Sequence, residues 1–152
     1  MRELIVAAAL TGLTALGVAA PTTAAHAAET TVAGSGCDGK WGPRDGNMYA
    51  WQNLDCEGAL LIRTPGNSSY WGASATDKAT SVMNRGFLGG RDIVKFYEDI
   101  NHKGGHTCLY PEELYADDVT DNQFHNGYGV NDRITSHQWV TAASCRESGL
   151  LT

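Results

Sequence analysis

Two six-residue segments share one order of residue types in a short chain: Thr76-Asp77-Lys78-Ala79-Thr80-Ser81 and Asn131-Asp132-Arg133-Ile134-Thr135-Ser136. Each runs polar, acid, two free positions, hydroxyl, serine. Each follows an aromatic-x6-Gly segment, Trp51 to Gly58 in the first case and Tyr97 to Gly104 in the second. A lone hexapeptide is weak evidence, but two, each behind its own turn, mark a duplicated unit. The duplication is a strong constraint on folding. A single small β unit buries too little apolar surface to stand alone, so its twin must supply the other wall of the core.

The mature part of the chain has no long helical periodicity. Apolar and aromatic residues fall in short runs at 48–51, 59–62, 93–97 and 134–140, separated by glycine and turn residues. Many short strands with turn signals between them predict an all-β sandwich or barrel. Within each unit the aromatic is expected to pack over a folded hairpin. Gly58 and Gly104 are expected at positive φ, which a Cβ resists. Ser81 and Ser136 are placed to hydrogen-bond across to that hairpin and pin it. Four strands in this order make a Greek key. The predicted architecture is therefore two Greek-key motifs packed face to face, motif one over about 47–86 and motif two over about 92–140. The loop from Gly58 to Asp77 is shorter than that from Gly104 to Asp132, so the units differ in their middles, where loops tolerate insertion.

Residues 1–27 read as a secretory leader: Arg2, then an apolar Ala- and Leu-rich run to Ala20, Pro21, and the small-x-small site Ala25-His26-Ala27. No later stretch is apolar enough to span a bilayer. About 125 residues remain, divided as a 28–46 extension tied by a disulfide, a 47–145 domain and a 146–152 tail. Export makes disulfides the expected state of Cys37, Cys56, Cys108 and Cys145. Four cysteines allow three connectivities, and the preferred one, Cys37–Cys56 with Cys108–Cys145, keeps each bridge within one half. No Cys-x-x-Cys spacing supports a thiolate zinc site. The formal net charge of −6 argues against nucleic acid as a partner. The acids Glu112, Glu113, Asp117, Asp118 and Asp121 read as a solvated loop.

The paired aromatic-x6-Gly turns and paired hexapeptides resemble the βγ-crystallin family in its microbial, secreted branch, over residues from about 47 to 140. The resemblance implies a βγ-crystallin-like sandwich that binds Ca²⁺ at sites shared between the two units. Hard oxygen donors suit that ion. In the second copy it implies oxygens from Asn131 and Asp132, the Arg133 carbonyl and the Thr135 hydroxyl. In the first it implies Asp77, the Lys78 carbonyl and Thr80. The carbonyls of Gln52 and Glu98 are implied as further ligands. Thr76 stands where the family has Asp or Asn, so the two sites are expected to differ in affinity. Few carboxylates per site imply a dissociation constant of roughly 10⁻⁴ M.

Catalysis has little support. His102 and His106 are separated by a glycine pair and do not form a helical zinc pair, there is no Gly-x-Ser-x-Gly elbow, and no base faces the loop carboxylates. The chain is expected to be a monomeric, extracellular non-enzyme. The first expected function is calcium binding that stabilises the fold. The second, implied by small disulfide-bonded members of the same family, is inhibition of an extracellular metalloprotease through the loop 64–75 or 110–129. A killer-toxin-like antimicrobial role is a third. Trp51 and Trp139 read as core, and Trp71, beside Tyr70 in a polar loop, as the exposed aromatic.

Overall fold

The structure, a computed structural model, describes residues 36–152. The leader read over residues 1–27 lies outside them. A short helix α1 (Gly36–Lys40) precedes eight strands: β1 (Asn47–Trp51), β2 (Leu60–Thr64), β3 (Ser81–Arg85), β4 (Ile93–Asp99), β5 (Lys103–Leu109), β6 (Tyr115–Ala116), β7 (Ser136–Val140) and β8 (Gly149–Leu150). A 3₁₀ turn, Ala142–Cys145, lies between β7 and β8.

The strands form two four-stranded sheets, ordered β2-β1-β3-β6 and β7-β4-β5-β8. The second unit contributes β6 to the first unit's sheet, where Val82 and Met83 of β3 face Ala116 and Tyr115. The first unit makes the reciprocal contribution. Its third segment, shrunk to a single bridge at Ser68, pairs with His137 of β7. Each Greek key thus lends one segment to the other's sheet, and neither sheet is complete without its twin.

Alternation along the strands places the core. In β1, Met48 and Ala50 point between the sheets while Tyr49 and Trp51 point outward. In β4, Val94 and Phe96 point inward and Ile93 outward. The shared core draws on both units, with Met48, Val82, Phe96, Leu109, Phe124 and Ile134 among its members.

Both outer faces are covered as well. Cys37–Cys56 ties α1 over the outer face of the first sheet, beside Tyr49, Trp51 and Met83. Cys108–Cys145 ties the 3₁₀ turn over the outer face of the second, beside Ile93. The pairing within each half is the one preferred from sequence. Trp51 lies in the outer cluster beneath α1, not between the sheets.

Two segments differ from the sequence reading. Residues 146–152, read as a tail, add β8 parallel to β5, and Leu151 enters the core with its N–H on the Cys108 carbonyl (2.9 Å). Trp71, read as exposed, is buried edge-on against Phe96. Its indole N–H donates to His137 Nδ1 (2.8 Å), a partner 66 residues away that sequence spacing cannot reveal.

Candidate functional site

Each hexapeptide is the turn that delivers the chain into the last strand of its unit, β3 or β7. The second residue of each turn is left-handed, with φ 57° at Asp77 and 54° at Asp132. Aspartate tolerates this conformation better than most residues with a Cβ. The two turns then grip each other: Asp77 N–H donates to the Ile134 carbonyl (3.1 Å), and Asp132 N–H to the Ala79 carbonyl (3.2 Å). Both hydroxyl residues also donate through their backbones to the unit's aromatic, Thr80 to Trp51 O and Thr135 to Tyr97 O, each at 3.0 Å.

The serines sit in equivalent places. Ser81 Oγ donates to Asn53 O (2.6 Å) and accepts from Cys56 N–H (3.0 Å). Ser136 Oγ donates to Asp99 O (2.6 Å) and accepts from His102 N–H (3.2 Å). Both hairpins carry the same run of positive φ, at Asp55, Cys56 and Gly58 in one and at Asn101, His102 and Gly104 in the other.

The reciprocal grip mixes the two copies at the surface. Asp77 of the first copy and Thr135 of the second meet, with Thr135 Oγ1 3.1 Å from Asp77 Oδ1. They share the wall of a cleft of about 780 Å³ with Glu98, Arg133 and Asp132. Gln52, Lys78 and Thr80 do not line it. Lys78 instead turns its ammonium back onto the Ala73 and Ser74 carbonyls (3.3 and 3.0 Å). Asp132 accepts from the Asn131 amide (3.2 Å).

Burial raises the pKa of the Glu98 carboxyl, but hydrogen bonds from Asn126, Gly105 N–H and Arg133 outweigh it and hold it below the ordinary value. The Arg133 guanidinium is thereby occupied by Glu98 (3.0 Å) rather than by Asp77.

Two buried oxygens in this region have no hydrogen-bond partner, Thr76 Oγ1 and Asn131 Oδ1. They occupy the first position of the two hexapeptides. Among the described residues, no three His, Cys, Asp or Glu side chains converge as a metal cluster. The cleft is lined by the carboxylate residues Asp77, Glu98, Asp99 and Asp132, the hydroxyl residue Thr135 and Thr76 with its orphaned oxygen, together with the cations Lys103 and Arg133. Its oxygens are of the hard type that a cation such as calcium takes alongside carbonyls and water.

The histidines group elsewhere. His106 and His125 stack at 3.7 Å between ring centroids, and Ser148 Oγ lies 2.8 Å from His106 Nδ1. Burial, with Lys95 and His125 nearby, lowers the His106 pKa to about 4.

Residues 40–109 match the family model of peptidase inhibitor family I36. Among solved structures, a domain from work on the evolution of the eye-lens βγ-crystallin domain fold is 21% identical, with TM-score 0.48, covering 64% of this chain and 88% of that one. An archaeal βγ-crystallin is 18% identical, with TM-score 0.46, covering 62% and 96%. Spherulin 3a from Physarum polycephalum is 18% identical, with TM-score 0.43, covering 66% and 88%. No curated protein matches the chain. The fold is read from the chain's own pair of Greek keys with exchanged segments and repeated pinned turns.

The fold is βγ-crystallin-like.

In this βγ-crystallin-like frame the loop 64–75 borders the cleft through Tyr70. The loop 64–75, one candidate from sequence, is largely committed to structure. Ser68 and His137 exchange backbone hydrogen bonds (3.0 and 2.9 Å), Trp71 N–H bonds to Thr135 O (2.9 Å), and only Tyr70 projects as a large exposed apolar side chain. Phe87 and Leu88, on the linker between the two units, were missed in the sequence reading. The signal was there, an apolar pair set between Gly86 and Gly89-Gly90, but a short linker carries no periodicity to draw notice.

Proposed function

We propose that the chain is a secreted, calcium-binding βγ-crystallin-like module in which calcium rigidifies the contact between the two Greek keys. The observation that carries this reading is the meeting of Asp77 with Thr135, two hard oxygen donors from different copies, on one cleft wall. Asp77, Thr135 and the carbonyls of Arg133 and Glu98 would hold the ion. The reciprocal set, Asp132, Thr80 and the carbonyls of Lys78 and Gln52, would hold a second, weaker one. Calcium supplies charge that neutralises Asp77 and joins the two turns. Two disulfides support an extracellular setting. No helix of the described residues is long and apolar enough to cross a membrane.

The test is thermal unfolding of the mature protein in 10 mM Ca²⁺ and in chelator. A dissociation constant of roughly 10⁻⁴ M predicts about 2.7 kcal/mol of stabilisation, a rise of about 10 °C in Tm. Asp77→Ala should remove most of the rise and Asp132→Ala less. No shift, together with no heat of binding in calorimetry, would sink the reading.

A second reading concerns what the rigid scaffold does. The match of residues 40–109 to peptidase inhibitor family I36 favours inhibition of an extracellular peptidase, a binding function that needs no catalytic group. It is compatible with calcium binding. Titration into thermolysin-type and subtilisin-type assays tests it, and unaltered hydrolysis at micromolar protein would remove it.

A further inference from the structure

The segment 86–91 connects β3 to β4 and is the single crossing between the two Greek keys. Its tip carries Phe87 and Leu88, each 67% exposed, the most exposed large apolar side chains among the described residues. Exposed side chains of this size on adjacent positions mark interaction sites more often than isolated ones.

The feet of this segment are held firmly. Asn84, fully buried, accepts from Gly86 N–H (3.0 Å) and donates to the carbonyls of Asp92 (2.8 Å) and Leu109 (3.3 Å). Arg44 donates to the Gly86 and Pro111 carbonyls (2.9 and 2.7 Å). Asp92, the residue between the segment and β4, accepts from Gly89 N–H through its carboxylate (2.9 Å), so this acid serves the turn. The Phe87 ring leans on the bare backbone of Gly46, where an added Cβ would come within 2.8 Å of Cε2. A hollow of about 330 Å³ lies alongside, walled by Trp139 and Pro65. The tip, residues 87–90, is thus apolar and held at its feet before any partner arrives, with Arg91 as the charged side chain beside it.

We propose that Phe87 and Leu88 are the side chains this protein inserts into the apolar specificity pocket of a peptidase. The proposal rests on the inhibitory reading above and assigns its contact surface. The family match spans the linker and stops before the 110–129 loop, while the 64–75 loop is spent on the sheet edge. A pocket that accepts large apolar side chains is complementary to this tip and to no other pair of adjacent exposed apolar side chains among the described residues. A held loop binds at lower entropic cost than one that must be ordered on contact.

The experiment measures inhibition of a thermolysin-type metallopeptidase and a subtilisin-type serine peptidase by the mature protein, by Phe87→Ser/Leu88→Ser, and by Tyr70→Ala as a control from the other loop. Unchanged melting curves show that the variants fold. The expected result is inhibition of at least one enzyme, weakened about 30-fold or more by the double substitution, as for a buried anchor, and by less than about threefold in Tyr70→Ala. Inhibition that survives the double substitution overturns the assignment and leaves the inhibitory reading standing. No inhibition of either enzyme by the unsubstituted protein overturns both, as does rapid cleavage at the linker without inhibition.

Discussion

Ser81 and Ser136 each make the same two hydrogen bonds to the hairpin of their own unit, and both are fully buried. Losing such a hydroxyl leaves an N–H and a carbonyl of the hairpin without their partner, so Ser136→Ala should cost about 1–2 kcal/mol in chemical denaturation, and Ser81→Ala a similar amount. A second residue-scale effect concerns His137. Trp71 donates to its Nδ1, so the proton sits on Nε2, which faces the Gly66 carbonyl at 2.8 Å. Burial lowers its pKa to about 4 from 6.5, with the Gly66 hydrogen bond opposing and His102 assisting. The unfolded chain takes up a proton near pH 6.5 and the native histidine only near 4. Its contribution is therefore fully present above pH 6.5 and lost as pH falls toward 4, a loss of about 3 kcal/mol. Denaturation at stepped pH should show that slope, and His137→Gln should reduce it. His106 adds to the slope in the same direction.

At the scale of elements, the two hairpins are near copies. Gly58 and Gly104 hold φ of 73° and 74°, and a Cβ on either would meet a side chain of its own hairpin, Asn53 at 2.7 Å and Asp99 at 2.5 Å. Gly104→Ala should lower stability by about 1–2 kcal/mol, with a matching loss for Gly58→Ala, as read by Tm. The two covering elements are less alike in form, one a short α-helix and one a 3₁₀ turn, yet each is held by its own disulfide. The bridge of sequence separation 37 closes a longer loop than the one of separation 19. By loop entropy, replacing Cys108 and Cys145 with serine should cost about 4 kcal/mol and replacing Cys37 and Cys56 about 3. Urea titration of the two double variants checks the order.

For the molecule as a whole, the exchange of segments decides cooperativity. The sheet of the first unit lacks its fourth strand without β6, and β7 lacks its outer neighbour without Ser68. A peptide of residues 47–86 or 92–140 alone should therefore show no cooperative unfolding transition by circular dichroism, while the full chain melts in one step. Calcium, on the proposed reading, acts at this scale too, since Asp77 and Thr135 belong to different halves.

Much of this was legible in the residues. The twin hexapeptides behind twin aromatic-x6-Gly turns established the duplication, the all-β class and the two Greek keys, because hydrogen-bonded turns of this kind depend on local residue types at fixed spacing. The half-by-half pairing of the cysteines was the preferred one of three that the sequence allowed, and the structure has it. What needed the tertiary structure were relations between distant residues. The resemblance implied sites shared between the units, but only the folded chain pairs Asp77 with Thr135, 58 residues apart. The same holds for the burial of Trp71 against Phe96 and His137, the strand added by the last residues, and the projection of Phe87 and Leu88. Local pattern specifies turns and strand periodicity. Which turn faces which, and which apolar side chains are left uncovered, depends on how the two units close on each other.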